Sequence, residues 1–355
     1  MDNREPIDLT VGGLWAGAGA GLLGASIAGF NPVFNLEPRT FVTDQVMKTN
    51  FPDIYFSRYP GDIQASSLEA DLIVGSPDCK IFSNLGTKRR AKNLEATSNP
   101  FNNDFFNFID SVCEYARPDF FIVENVPNIL HHLNFQNEFK YKPGFYVEAI
   151  KSHGLGPFGK VNLRRHFRDY YVQGIILNSK DFKVPQSRKR FFLIGSKINH
   201  PLFNPDSLHR NTEITLERMR YGETVGEAFN DISRSKSKTY LGKPFHNNEP
   251  PKHSSERVAG FSKLMPGDSY YGTQNNRRLY YDRLSWTVAS SCSRFVHPVE
   301  PRTLTVRETA RLMGWPDRFI FQGTSTQQLD QVGKSIVPQI IFAIANYLRI
   351  EHLKK

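Results

Sequence analysis

Asp71-Leu72-Ile73-Val74-Gly75-Ser76-Pro77-Asp78-Cys79-Lys80-Ile81-Phe82-Ser83 is the stretch on which the fold turns. A short apolar, β-branched run stops at Gly-Ser-Pro and then presents a cysteine. An α/β enzyme displays a nucleophile in this way, in a tight turn at the carboxyl edge of its sheet. Upstream, Ile7 to Leu14 reads as a strand, Gly17 to Gly21 as a turn and Leu22 to Ala28 as a helix. Pro32 to Leu36 follows as a strand and Arg39 to Thr49 as a helix. Downstream, Asn103 to Tyr115 reads as a helix and Phe120 to Val123 as a strand. Tyr170 to Leu177 and Arg190 to Ile194 read as two more strands. This alternation predicts a doubly wound, mostly parallel α/β sheet.

From about residue 198 to 301 the chain turns polar, with Pro, Gly, Ser, Asn and basic residues and little periodicity. Helical patterns return at Thr305 to Met313 and Ile336 to Leu348. The expected organisation is therefore a catalytic domain over 1–197, an inserted smaller domain over 198–301, and a C-terminal part, 302–355, that completes the first.

The 355 residues are ample for a buried core, and 39% hydrophobic with 13% aromatic content excludes a disordered chain. No run reaches the roughly 18 apolar residues of a membrane span, and the charged start lacks a signal-peptide pattern. Three widely spaced cysteines (Cys79, Cys113, Cys292) suggest neither a disulfide framework nor a zinc site. The expectation is a reduced, cytoplasmic setting and a monomer, with no membrane partner and no metal. A net charge of +10 is compatible with a polyanionic partner.

Trp15-Ala16-Gly17-Ala18-Gly19 leaves a strand and opens a helix. Glycines there either let the backbone approach a ligand or serve close strand–helix packing. Glu37, just beyond the second strand, is the type of acid that holds ribose hydroxyls, and Asp62-Ile63 suits an adenine edge and face. Glu124 ends the apolar run Phe120-Phe121-Ile122-Val123, where a carboxyl acts in proton transfer or simply caps or pairs. Arg188 and Arg190, one residue apart on a strand, share a face.

Together these motifs resemble the DNA cytosine-C5 methyltransferases. That family carries an aromatic-x-Gly-x-Gly loop, a Pro-Cys loop, Glu-Asn-Val, Gln-x-Arg-x-Arg, an Arg-x-Leu-Thr segment and Gly-Asn-(Ala/Ser)-Val. This chain has, in the same order, Trp15 to Gly19, Pro77-Asp78-Cys79, Glu124-Asn125-Val126 and Gln186-Ser187-Arg188-Lys189-Arg190. Arg302-Thr303-Leu304-Thr305 through Glu308 and Arg311-Leu312, then Gly333-Lys334-Ser335-Ile336, complete the series. The resemblance implies that Cys79 adds to C6 of a flipped cytosine, which makes C5 nucleophilic. It implies that Glu124 contacts the ring N3 and amino group, Arg190 the O2, and that Arg188 supports the catalytic loop. S-adenosylmethionine would be held by Trp15, Gly17, Ala18, Gly19, Glu37, Asp62, Ile63, Pro77, Phe105, Lys334 and Ser335. Double-stranded DNA would meet Lys88, Arg89, Arg90 and Lys92 after the catalytic loop. The 198–301 region, with Arg234, Lys236, Lys238, Arg277 and Arg278, resembles a target-recognition domain. Nearby positive charge is expected to lower the Cys79 pKa.

Besides the mild exchange of Ile336 for valine, three charged replacements depart from the family: Asp78 for proline, Lys80 for glutamine and Lys334 for asparagine. A lysine about 5 Å from a sulfonium would repel it by roughly 3 kcal/mol at an effective dielectric near 20. Pairing with Asp78, a side chain turned outward or held neutral, or an anionic donor would each relieve that. The last case corresponds to carboxy-S-adenosylmethionine and a carboxymethylated cytosine. Two further alternatives are a tRNA cytosine-C5 methyltransferase and a DNA-binding homologue without catalysis. The first lacks its Cys-Phe-Thr signature here, and the second is at odds with the retained Cys79 and Glu124.

Overall fold

A computed structural model describes residues 8–38, 41–58, 68–79, 104–131, 169–198, 203, 222–234, 239–240, 243–270, 276–289 and 295–354. Seven described strands form one sheet: β1 (Thr10–Leu14), β2 (Asn31–Leu36), β3 (Tyr55–Ser57), β4 (Leu72–Gly75), β5 (Phe120–Asn125), β6 (Tyr171–Asn178) and β7 (Lys189–Ser196). Their order is β3-β2-β1-β4-β5-β7-β6. The first five run parallel, and β7 is antiparallel to both neighbours. The predicted doubly wound sheet is thus present, with its order reversing between β1 and β4. Loops leaving the carboxyl ends of those two strands flank the crevice where α/β enzymes bind ligands.

Helix α1 (Ala20–Ile27) begins two residues before the expected start. Its small residues seat it between the sheet and the C-terminal helix. A Cβ on Gly21 would lie 2.6 Å from Val74, and one on Gly24 would lie 2.4 Å from the Pro338 carbonyl. Helix α2 (Phe41–Asn50) follows β2. The segment expected to be one helix from Asn103 is two: α3 (Asp104–Asp110), then a π-helical turn over Ser111–Ala116. Arg117 ends it in the left-handed conformation at φ 45°.

The aperiodic reading of 198–301 missed α4 (Val225–Arg234) and α5 (Ser255–Ser262). Val225, Ala228, Phe229 and Ile232 follow the i, i+3, i+4, i+7 spacing of a helix face, and all four are buried. The described residues of this segment also share a core with the sheet. Phe203, Val225, Phe229, Leu279, Val288 and Phe295 belong to the same buried cluster as Leu72, Phe120 and Ile341.

Beyond it lie α6 (Val306–Leu312), α7 (Ser325–Lys334) and α8 (Pro338–Leu353). Thr305 with Glu308, and Thr324 with Gln327, form reciprocal capping boxes that fix the starts of α6 and α7. Among the described residues no helix is long and apolar enough to cross a membrane, and no group of three or more acidic, His or Cys side chains is placed to hold a metal ion.

Candidate active site

The two loops at the switch point are joined through their backbones. The N–H of Ser76, one residue beyond β4, donates to the Trp15 carbonyl at 3.2 Å, and the Trp15 N–H donates to Leu36 at 2.8 Å. Trp15 itself has φ 50°, a left-handed conformation unusual for a large side chain. Its ring lies buried beside Phe108, 6.4 Å between centroids. Phe105 is buried in the same cluster.

The glycines of this loop have different tasks. A Cβ on Gly17 would meet nothing within 4 Å, so the backbone borders open space. On Gly19 it would come within 2.9 Å of Phe51 and 3.0 Å of Met47, so that glycine serves packing against α2. Ala18 is buried. The buried Glu37 carboxylate accepts from the Gly17 N–H at 2.7 Å and so shapes the loop. Small residues beside open space, with an acid at the end of the next strand, suit the backbone approach and polar anchoring that a nucleoside-type cofactor needs.

On the β4 side, Pro77 is buried and Cys79 is half-buried. Asn125 donates from Nδ2 to the Pro77 carbonyl at 3.4 Å, tying this loop to the end of β5. Glu124, one residue earlier on β5, accepts from the Ser76 hydroxyl at 2.6 Å through Oε2. Its Oε1 lies 3.0 Å from Arg190 Nε on the adjacent β7, yet that N–H is not aimed at it. Glu124 therefore keeps a buried oxygen close to a positive charge but without a directed hydrogen bond. A buried acceptor in that state is costly unless a ligand donor completes it.

The environment of Cys79 corrects the expectation of a lowered pKa. Burial raises it first, the Glu124 charge raises it further, and Asp78 adds to this; Arg190 and Arg188 oppose them and do not prevail. The thiol is held protonated in this state. Cys113 is different in kind: buried and surrounded by carboxylates, it is pushed up to about 12.

Arg188 is 4% exposed and acts as a junction. It donates to the carbonyls of Val288 (2.6 Å), Gly333 (3.3 Å) and Ser335 (3.2 Å), joining three segments next to the site. Ser335 turns its hydroxyl inward, accepting from Trp315 Nε1 at 3.0 Å and donating to Val332 at 2.7 Å. Lys334, at the end of α7, forms an ion pair with Asp330 one turn earlier, and its side chain is 36% exposed. Of the three ways to relieve its charge, the described geometry gives an outward partner on its own helix. Asp62, Ile63, Lys80, Lys88, Arg89, Arg90, Lys92, Lys236, Lys238 and Cys292 lie outside the described residues.

The family described as C-5 cytosine-specific DNA methylase matches residues 9–142 and 158–349. The chain belongs to this family. Among curated relatives it is similar to the type II methyltransferase M.DdeI of Desulfomicrobium norvegicum, at 29% identity over 94% of this chain and 86% of the relative. It is likewise similar to the type II methyltransferase M1.HphI of Haemophilus parahaemolyticus, at 27% identity over 96% and 86%. Among solved structures, S. pombe Dnmt2 methyltransferase superposes with a TM-score of 0.57 at 16% identity, covering 98% of this chain and 100% of that one. The Entamoeba histolytica methyltransferase EhMeth gives 0.59 at 14%, covering 99% and 100%. The two superpositions bear on the fold, and membership of the C-5 cytosine methylases rests on the sequence match.

Within this methylase, the switch point brings together Trp15, Gly17, Glu37, Pro77, Cys79, Glu124 and Arg190, all expected from the sequence. Two contributors were missed. Ser76 binds the carboxylate of Glu124, and its place inside the quoted loop was the available signal. Gln186 accepts the Val288 N–H at 2.7 Å and donates to the Leu312 carbonyl at 2.9 Å. The Gln-x-Arg-x-Arg motif pointed to the arginines, whereas the glutamine holds the strand in place.

Proposed function

We propose that this methylase adds Cys79 to C6 of an extruded cytosine in duplex DNA and places a methyl group on C5. One observation carries the reading: Cys79, the Glu124 carboxylate and Arg190 converge where the carboxyl ends of β4 and β5 meet the amino end of the antiparallel β7. The open backbone at Gly17 lies across the same switch point. Glu124 Oε1 is free to accept from the cytosine amino group or protonated N3, which stabilises the ring as the sulfur adds. Arg190 faces the same space and supplies positive charge for O2. S-adenosylmethionine, held by the Trp15–Gly19 loop and Glu37, supplies an electrophilic methyl. The methyl would leave the donor's sulfonium, which departs as the neutral thioether S-adenosylhomocysteine, for C5; loss of the C5 proton to solvent then expels the Cys79 thiolate, which retakes the proton held at the ring nitrogen, restoring both the aromatic ring and the nucleophile. A thiol that is protonated at rest must surrender its proton as substrate arrives, and the ring nitrogen that becomes protonated next to Glu124 is a suitable destination.

The proposed domain reading assigns target recognition to 198–301 and phosphate binding to Lys88, Arg89, Arg90 and Lys92. The donor is read as S-adenosylmethionine and not its carboxylated form, because Asp330 already offsets the Lys334 charge. Duplex DNA containing 5-fluorocytosine, incubated with the protein and S-adenosylmethionine, is expected to give a covalent adduct that survives denaturing electrophoresis. Cys79→Ser should give none; an adduct in that variant, or none with the unaltered protein, would overturn the reading. Nucleoside mass spectrometry on ordinary DNA with both donors present is expected to show 5-methylcytosine, whereas 5-carboxymethylcytosine would establish the alternative.

A further inference from the structure

Arg277 and Arg278 are adjacent and point opposite ways. Arg278 is buried and donates to the carbonyls of Phe261, His297 and Pro298, which makes it a structural tie. Arg277 is exposed and lies over the Trp286 ring, 4.6 Å from its centroid. Trp286 packs near Tyr280, 5.8 Å between centroids, and Arg283 covers Tyr280 at 4.2 Å. The result is a tilted stack of four side chains, Arg277–Trp286–Tyr280–Arg283, its two rings inclined at 52° to each other, with an exposed arginine at each end. Among the described residues neither arginine forms an ion pair.

The stack is also fastened to the catalytic strand. Ser187 N–H donates to Ser285 at 3.2 Å, Thr287 Oγ1 donates to Ser187 at 2.9 Å, and Val288 is gripped at its N–H by Gln186 and at its carbonyl by Arg188. Arg190 follows two residues later. A polyanion held by the stack is thereby registered against the strand that carries Arg190.

We infer that Arg277 and Arg283 are a preordered pair of phosphate contacts that position duplex DNA on the recognition region without reading its sequence. The inference rests on the DNA-modifying function proposed above and names residues for one part of it. Arg277 donates its Nε–H to Ser269 Oγ at 3.4 Å, which leaves its terminal N–H groups to match phosphate oxygens, as a guanidinium held over a ring does. The ring faces taken by the arginines are closed to stacked bases. Side chains folded along aromatic rings also lack the extension needed to reach base edges in the major groove. Phosphate contact is what remains, and it predicts salt dependence without sequence preference.

The test is duplex binding by fluorescence anisotropy over a salt series, with two short labelled duplexes of unrelated sequence. Arg277→Gln and Arg283→Gln should each reduce the slope of log affinity against log salt by about 0.9, and the double variant by about twice that. The loss should be equal on both duplexes. Arg277→Lys, which keeps the charge, should restore most of the slope. An unchanged slope in the double variant, or a loss confined to one duplex, would overturn the inference. Thermal unfolding of each variant, expected to match the unaltered protein, shows that a loss is not misfolding. Failure of the unaltered protein to bind either duplex would instead strike the DNA-modifying function itself, which the fluorocytosine adduct measures separately.

Discussion

Two buried clusters of charge in this methylase are built on opposite plans. Around α6, Arg302 grips Glu308 with two bonds of 2.8 and 2.7 Å, and Arg311 grips Asp317 at 2.9 and 2.5 Å while also binding Asp231. Burial alone would raise the Glu308 pKa, but the hydrogen bonds and charge of Arg302 outweigh it and hold the carboxyl low. At the switch point, Glu124 has its arginine at ion-pair distance and no directed bond to one oxygen, and Cys79 has its pKa raised. The first cluster is satisfied by the protein itself and resists unfolding. The second is left incomplete, with a buried carboxylate oxygen that still lacks a hydrogen-bond donor. What sets Glu124 apart is that its unsatisfied oxygen lies beside both a cysteine and an arginine at the switch point.

The sharpest way to break the contrast is to unbalance the closed cluster. Glu308→Ala leaves the largely enclosed Arg302 with Glu300 as its remaining carboxylate and the Thr303 carbonyl as its other partner, and should cost about 3–5 kcal/mol of stability. Urea unfolding followed by far-UV circular dichroism measures this, and a loss below 1 kcal/mol would mean the cluster is not held by the pair. In the open cluster the same kind of change should spare stability and damage chemistry. Glu124→Gln is expected to slow methyl transfer by roughly two to three orders of magnitude. It should also lower the pKa of Cys79, because a negative neighbour that disfavours the thiolate has gone. Alkylation rates across pH, resolved by peptide mass spectrometry, would show Cys79 reacting at lower pH, with Cys113 as an unshifted internal reference. A Cys79 profile that moves upward would refute the electrostatic account. The smallest effect belongs to Lys334→Asn, which removes an exposed pair and should change stability by no more than about 0.5 kcal/mol. The product of that variant should remain 5-methylcytosine by nucleoside mass spectrometry.

Much of the sheet was readable because its strands are apolar, β-branched runs that end at glycine or acidic residues. Leu72–Gly75 and Phe120–Asn125 needed no more than that. Tyr55–Ser57 was not readable, since three residues carry no period. Helix α4 was within reach, with its apolar residues at helical spacing, but the polar sequence around it masked the signal. The pairing of Lys334 with Asp330 follows from i, i+4 spacing once α7 is recognised, and the Thr324–Gln327 capping box marks where α7 starts. The Cys79 pKa was beyond sequence reading. Arginines at positions 188 and 190 suggested a lowered value, and only the depth of burial and the nearness of Glu124 decide the sign.

The packing of α1 on α8 has a consequence for how the enzyme is made. The helix that opens beside the Trp15–Gly19 loop is apolar on nearly every side, and Gly24 lets it touch the backbone at Pro338. Ribosomes add about 5–20 residues per second. For the many seconds between synthesis of α1 and synthesis of α8, the face of α1 that meets α8 has no permanent cover. Late completion makes this the stretch of the nascent chain that a chaperone would have most reason to hold.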